Sequence, residues 1–324
     1  MAIAQEKKQP LLIIVGPTAS GKTRLGVAMA KALSGEVISA DSMQMYRRMN
    51  IATAKPTAEE MEGVPHHLMD FLEPDQSFSV AEYAQQARDC IAQVAARGHL
   101  PIMVGGTGLY VNTVADNITF SEAPSDEAYR ESLRKLAEEQ GVLAVYSQLQ
   151  QLDPESAAAI HPNNLGRVIR ALEVYHTTGI TMTEQRRRSR LVPSPYRLSM
   201  IGLCCQDRQK LYDRIDRRVD EMVRQGLLEE ARQVLTEGLS ATAAQAIGYK
   251  ELKGYFAGEE SLETALERVR QESRRYAKRQ LTWFRRDQRI HWLETDVLGD
   301  FEHILARALE LAAEDGVTGG KDRE

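Results

Sequence analysis

Apolar residues along this chain fall into short, dense runs separated by polar, helix-forming stretches. Leu11-Leu-Ile-Ile-Val15 is an unbroken run ending at Gly16, the pattern of a strand buried on both faces. It predicts a following helix from about Lys22 to Leu33, closed by the Ser34-Gly35 pair. Glu36–Ala40 reads as a second strand, with Asp41 just beyond its carboxyl end. Ser79-x-x-Glu82 is a capping box opening a helix that runs to Arg97, where Gly98 supplies the stop. Pro101–Val104 is a third strand, entering Gly105-Gly-Thr-Gly-Leu-Tyr110, and Tyr196–Cys205 and Ile290–Leu293 read as a fourth and fifth. Strands alternating with helices predict an α/β fold, a parallel sheet flanked by helices.

From about Glu122 to Pro195 the alternation stops. Helices are predicted at Asp126–Gln140, stopped by Gly141, then before Asp153-Pro154, then at Asn164–Thr178, with Pro124 and Pro193/Pro195 marking the ends. The expected organisation is a catalytic core from residues 1–121 and 196–324 and a small all-helical insertion domain at 122–195. Nothing repeats at a fixed period, and only the tail after Asp315 reads as disordered.

Composition narrows the class. At 324 residues, 43% apolar and 27% charged, the chain reads as an ordinary globular protein able to bury a core. No apolar run approaches the roughly 20 residues of a membrane span, and Leu11–Val15 is too short for a secretory core. Cys90, Cys204 and Cys205 form neither a CxxC pair nor a disulfide framework, which fits small hydrophobes in a reducing cytoplasm. A net charge of −5 does not announce a nucleic-acid partner, but the arginines are concentrated. Arg268, Arg270, Arg274, Arg275, Lys278, Arg279, Arg285, Arg286 and Arg289 face only Glu272 and Asp287, and Arg186, Arg187, Arg188 and Arg190 form a second cluster. Such clustering predicts local positive surface suited to a polyanion.

Gly16-Pro-Thr-Ala-Ser-Gly-Lys-Thr23 matches GxxxxGK[ST] between a predicted strand and a predicted helix. The glycines let backbone N–H groups turn around phosphate oxygens, the helix N-terminus adds positive potential, Lys22 adds a charge, and Thr23 can ligate Mg²⁺. This identifies a diphosphate or triphosphate, not the molecule that carries it. Asp41 follows the second strand, at the sheet edge where ligands of open α/β folds bind; it either handles a proton, holds Mg²⁺ through water, or caps a helix. The third strand ends in Gly105-Gly-Thr-Gly108, with no acid where an ATP-hydrolysing enzyme often places one. Arg214 and Arg218, spaced i, i+4, share a helix face suited either to a leaving diphosphate or to solvent. His66 and His67 lack a third ligand at metal spacing and read as structural, and Trp283 and Trp292 read as core anchors.

GPTASGKT, Asp41-Ser-Met-Gln-Met-Tyr46, GGTGLY at 105–110, Gln185-Arg-Arg-Arg188, Ala246-Ile-Gly-Tyr-Lys-Glu251 and Tyr276-Ala-Lys-Arg-Gln-Leu-Thr-Trp-Phe-Arg285 together resemble the bacterial tRNA dimethylallyltransferases, from about residue 11 to 310. The resemblance implies a P-loop nucleotide-kinase-like core, a tRNA-gripping helical insert, Mg²⁺ dependence, and a cytoplasmic monomer that does not contact membranes. It implies transfer of a dimethylallyl group from dimethylallyl diphosphate to N6 of the adenine 3′ of the anticodon. By the same resemblance the donor diphosphate lies on Gly16, Pro17, Thr18, Ala19, Ser20, Gly21, Lys22 and Thr23, with Arg218 and Arg214. Thr23 carries the Mg²⁺. Asp41 is the general base, with Lys22 and Thr107 beside it in the catalytic set. Asp41, Ser42, Met43, Gln44 and Thr107 would contact the extruded base, as would Gln245, Ala246, Ile247, Gly248, Tyr249 and Lys250. Arg130, Gln185, Arg186, Arg187, Arg188 and Ser189 would touch tRNA from the insert. Two rival readings remain beside it: a nucleoside or nucleotide kinase using the same loop for ATP, and a non-catalytic RNA-binding protein with a vestigial loop.

Overall fold

The computed structural model describes residues 8–119, 125–189 and 191–318. Glu122, Pro124, Arg190 and the end of the predicted tail lie outside the described residues.

The apolar runs become β1 (Gln9–Val15), β2 (Gly35–Ser39), β3 (His66–His67), β4 (Leu100–Gly105), β5 (Tyr196–Cys204) and β6 (Ile290–Glu294). They form one sheet in the order β3-β2-β4-β1-β5-β6, with every pairing parallel. β1 lies inside it, and its alternate residues serve two cores. Leu11, Ile13 and Val15 pack on one face with Met103 and Tyr83, while Leu12 and Ile14 pack on the other with Leu25 and Ile102. Burial on both faces is why the run has no polar interruption. The edge strand β3 has no such signature. It is held by its histidines: His67 Nε2 lies 2.6 Å from Glu36 Oε2, and His66 Nδ1 lies 2.8 Å from the Val64 carbonyl.

The helices, in chain order, are α1 (Lys22–Leu33), α2 (Ala58–Met61), α3 (Val80–Ala96) and α4 (Gly108–Ala115), then α5 (Glu127–Gln140), α6 (Val142–Leu152), α7 (Pro154–Ala159), α8 (Leu165–Thr178) and α9 (Met182–Ser189). After β5 come α10 (Arg208–Arg224), α11 (Leu227–Glu237), α12 (Lys253–Phe256), α13 (Leu262–Phe284) and α14 (Phe301–Glu314). The capping box before α3 forms in full: Ser79 Oγ accepts from Glu82 N at 3.2 Å, and Glu82 Oε2 accepts from Ser79 N at 2.8 Å. At the end of α1 it is Ser34 that takes the left-handed turn, at φ 51°, so Gly35 already belongs to β2. Gly105 is required by a close approach: a Cβ there would stand 2.2 Å from the Ala40 carbonyl oxygen. That approach brings the ends of β2 and β4 together, and with them the loops that carry Asp41 and Thr107.

The chain divides into two compact units, Met1–Ala115 with Pro195–Glu324, and Asp116–Ser194. The first holds the sheet. The second is helical, α5–α9 packed around Leu133, Val145, Leu149, Val168 and Leu172. Its polar framework is as defined as its apolar one. Asp153 caps α7 and also accepts from Thr183 N (3.0 Å) and Thr183 Oγ1 (2.6 Å), fixing the start of α9. The three cysteines are buried thiols. No helix among the described residues is long and apolar enough to cross a membrane.

Candidate active site

Three loops at the carboxyl ends of β1, β2 and β4 meet at the head of α1. Among the described residues its N-terminus has no side-chain cap, and Ser20 Oγ is buried with no hydrogen-bond partner. Unpaired first-turn amides, an orphan hydroxyl and Lys22 together make a seat for an anion. Ala19 holds φ 61°, a strained value for a residue with a Cβ, which fits a loop shaped for a ligand rather than for itself.

Beside this seat is a cavity of about 310 Å³, lined by Thr18, Lys22, Thr23, Asp41, Ser42, Met43 and Gln44 from the first two loops. Helix α10 contributes Ile215, Arg218, Val219 and Met222; helix α13 contributes Val269, Ser273, Tyr276, Arg279 and Gln280; Gln245, Ala246, Ile247 and Lys250 close another side. Lys22 and Arg218 make one end cationic, Ile215, Val219 and Met222 give an apolar α10 wall, and the α13 and 245–250 walls mix apolar with polar and charged side chains. A second cavity of about 470 Å³ shares Lys22, Thr23, Ala54, Arg218 and Met222 with the first, and takes in Ala19, Ser20 and Gly21.

Asp41 Oδ1 accepts from Met43 N at 2.9 Å, closing a local turn, while its other oxygen has no protein partner among the described residues. Burial pushes the Lys22 ammonium down to about 8; Asp41 opposes that shift and Arg218 adds to it. Burial lowers Arg218 as well, and its Nη1 reaches Thr18 Oγ1 at 3.4 Å. Both cations are held partly out of water without a fixed counter-ion, an arrangement that an incoming diphosphate would stabilise. Gln44 is locked from both sides: Ser39 Oγ donates to its Oε1 (3.1 Å), and its Nε2 donates to the Ala54 carbonyl (3.2 Å).

Other expected residues lie elsewhere. Thr107 stands behind the cavity wall, its Oγ1 accepting from Ser42 N at 3.0 Å and donating to Ser42 Oγ at 3.3 Å. Arg214 does not line the cavity: its Nη1 donates to Thr295 Oγ1 (3.0 Å) and contacts Cys205 Sγ (3.5 Å). Tyr249 is fully buried, its hydroxyl donating to Glu230 at 2.9 Å, and Gly248 packs against Ala52. In the helical unit Arg130 is bound to the buried Glu173 through two hydrogen bonds of 2.7 and 2.9 Å. Gln185, Arg186, Arg187, Arg188 and Ser189 lie on α9, where all three arginines are exposed, Glu184 pairs with Arg187 (3.1 Å) and Arg188 (2.8 Å), and Arg186 has no acid partner among the described residues. The C-terminal arginine cluster is less basic than its sequence suggests. Arg270 pairs with Asp220 and Glu263, Arg274 with Asp216 and Glu267, and Arg268, Arg275 and Arg289 each with an acid. Lys278, Arg279, Arg285 and Arg286 have no acid partner among the described residues.

Gln280 is a site residue that the sequence reading does not single out. It is buried, and its Oε1 accepts from Thr18 N (2.9 Å) while its Nε2 donates to the Gly106 carbonyl (3.0 Å). One side chain on α13 thus joins the phosphate loop to the β4 loop. The signal that could have found it is a polar stripe at helical spacing, Ser273, Tyr276, Gln280, on a helix read for its charge, its tryptophan and its motif.

The family model for IPP transferase matches residues 44–287. The chain belongs to the IPP transferase family. It is 55% identical to the tRNA dimethylallyltransferase of Geobacillus thermodenitrificans, over 88% of this chain and 90% of that one. Its fold is similar to the full-length tRNA isopentenylpyrophosphate transferase of Bacillus halodurans, at a TM-score of 0.71 and 48% identity, covering 95% and 97% of the two chains. It is also similar to a eukaryotic dimethylallyltransferase solved acting on tRNA, at a TM-score of 0.82 and 27% identity, covering 97% of this chain and 82% of that one. Prenyl transfer to a tRNA adenine is the activity of this family.

Proposed function

We propose that this IPP transferase moves a dimethylallyl group from dimethylallyl diphosphate to N6 of the adenine 3′ of the anticodon, as a cytoplasmic monomer. The observation that carries this reading is the shared cavity, which sets Lys22, Thr23, Arg218 and an uncapped helix terminus beside Asp41 and an apolar wall. The diphosphate binds at the cationic end and the five-carbon tail lies along Ile215, Val219 and Met222.

The reaction breaks the allylic C–O bond and forms an N6–C bond. The electron pair of the broken bond leaves with the diphosphate, whose growing charge Lys22 and Arg218 neutralise most strongly at that moment. The exocyclic amine is a weak nucleophile, and it loses a proton as the new bond forms. The partner-free oxygen of Asp41 accepts that proton. The adenine must leave its stack to reach the cavity, and the locked Gln44 and the Ala246–Ile247 wall receive it.

The residues fit Mg²⁺. The Thr23 hydroxyl has no protein partner among the described residues, and no group of three or more metal-ligating side chains occurs among them. That donor set suits an ion that arrives with its diphosphate and keeps its water, held through Thr23. When bound it supplies positive charge to the leaving group.

The deciding experiment is single-turnover transfer by Asp41→Asn on unmodified tRNA with labelled donor. A positioned acid–base group predicts a loss of roughly 10²–10⁴-fold with donor and tRNA affinity little changed. Parallel loss of donor affinity, restored by extra Mg²⁺, would instead make Asp41 a metal ligand. Near-normal transfer would remove it from the mechanism.

A further inference from the structure

We infer that Glu230, which lies outside the cavity, is a positioning residue that sets the acceptor side of the site; this rests on the reading of that side as the place where the base enters. Glu230 sits in the first turn of α11, and its carboxylate accepts from three consecutive backbone amides. Asn50 N reaches Oε2 at 2.8 Å, Ile51 N reaches both oxygens at 3.0 and 2.8 Å, and Ala52 N reaches Oε1 at 3.0 Å. The Tyr249 hydroxyl donates to Oε1 at 2.9 Å. One carboxylate thus binds two separate segments, the 50–54 loop and the Ala246–Lys250 turn, and both line the cavity.

The loop would not hold this shape alone. Arg48, just before it, and Ala54, its last residue, take φ 62° and 51°. Left-handed values in residues with a Cβ are strained and persist only where the surroundings over-determine them. Successive amides turned toward one point form an anion nest, and here an internal carboxylate fills it. The two segments also pack directly: Gly248, at φ 106°, leaves room for Ala52, whose Cβ would lie 3.1 Å from a Cβ at that position.

The consequence reaches the site through Gln44. The carbonyls of Thr53 and Ala54 accept from its Nε2, so the orientation of the Gln44 amide depends on the loop that Glu230 holds. The cationic end is anchored differently: Thr18 is held by Gln280, Lys22 by the Pro17 carbonyl and Arg218 by Thr18. The 50–54 loop also borders the second cavity through Asn50, Ile51 and Ala54, but none of the bonds that hold Thr18, Lys22 and Arg218 runs through it, so Glu230 should govern acceptor placement far more than donor binding.

The test uses the full chain with Glu230→Gln, which presents an amide nitrogen to N–H donors, and Glu230→Asp, which keeps the charge one methylene short. Amide hydrogen exchange, donor affinity, thermal midpoint and single-turnover transfer are read on each. In Glu230→Gln, exchange should rise at residues 50–52, donor affinity should stay within about twofold, and turnover should fall roughly 10–100-fold, as for losing hydrogen bonds to a charged group. Glu230→Asp should recover part of the rate. Wild-type exchange and turnover in Glu230→Gln would overturn the inference. So would a rate that falls only with the folded fraction, or donor affinity that falls equally. Wild-type protein that fails to transfer at all would sink the functional reading instead, and the exchange measurement would still decide whether Glu230 holds the loop.

Discussion

Donor binding should depend on pH through Lys22, and the direction follows from its surroundings. Burial holds the free ammonium down at about 8, against an ordinary lysine value of 10.5. A diphosphate needs that ammonium charged, and its own negative charge raises the lysine again once bound. Binding above pH 8 must then take up a proton, so affinity falls about tenfold for each further pH unit. With a value of about 8, Lys22 is roughly nine-tenths charged at pH 7 and one-tenth charged at pH 9. The donor dissociation constant should therefore stay level up to about pH 7.5 and be about tenfold weaker at pH 9, near 1.4 kcal/mol. Calorimetric titration of dimethylallyl diphosphate into wild type, Lys22→Arg and Lys22→Met separates the causes. The arginine keeps its charge across this range and should give a flat profile, whereas the methionine should bind roughly 10²-fold more weakly at every pH. Arg218 stays charged throughout, so it supplies no slope of its own. A wild-type profile flat to about pH 9.5, or the same slope in Lys22→Arg, would refute the assignment.

Further outcomes follow from the same structure. Arg130→Met should destabilise the helical unit by about 3–5 kcal/mol, because it leaves the buried Glu173 carboxylate short of its partner; unchanged denaturation would refute this. Burial raises Glu173, but hydrogen bonds from Arg130, Arg170 and the Asp126 amide outweigh it and hold the carboxyl at about 2; its stabilising contribution is complete above pH 4.5 and should be lost as the pH falls toward 2, which acid titration of unfolding would show. Gln280→Met should keep the fold and lose turnover at least about tenfold, since the phosphate loop and the β4 loop are no longer joined; a normal rate would remove it from the site. Binding of tRNA should weaken steeply with salt, and neutralising Arg187 and Arg188 should flatten the slope by about one unit for each phosphate no longer neutralised, whereas salt-independent affinity would refute a polyanion interface.

What the sequence disclosed and what it hid have one physical cause. The phosphate loop, Asp41 and the β4 loop were legible because each is a local event at the end of a buried strand, and strand runs carry their own signature. The parts built by helix faces were legible only in part: Arg218 lines the cavity and Arg214 does not. Arg214 and Arg218 share a face at i, i+4, yet four residues advance a helix by about 6 Å, enough for Arg214 to meet Thr295 and Arg218 to meet Thr18. Sharing a face did not give them the same partners, and Arg214 borders a separate pocket with Ser20 and Gly21. Charge counting failed in the same way on α13, where acids from α10 and from its own preceding turns take up Arg270 and Arg274.

Arg130 shows the same limit most sharply. Its side chain is committed to a carboxylate that has no exposed surface, and Arg170 shares that carboxylate at 2.6 Å. A guanidinium has five donors, and Glu173 engages Nε and one terminal nitrogen, leaving Nη1 near Glu127 at 3.7 Å. An arginine held in this way cannot swing toward a phosphate without taking two hydrogen bonds from a buried charge, which would keep only Arg170 and the Asp126 amide, but it can present its remaining donors from a fixed position. The two roles that sequence alone would set against each other, fold and RNA contact, are therefore compatible in one residue. They separate by measurement: Arg130→Lys keeps a charge near Glu173 but not the two-pronged geometry, so stability should fall while the salt slope of tRNA binding barely moves. A slope that drops by about one full unit with stability intact would make Arg130 a phosphate contact first and a structural residue second.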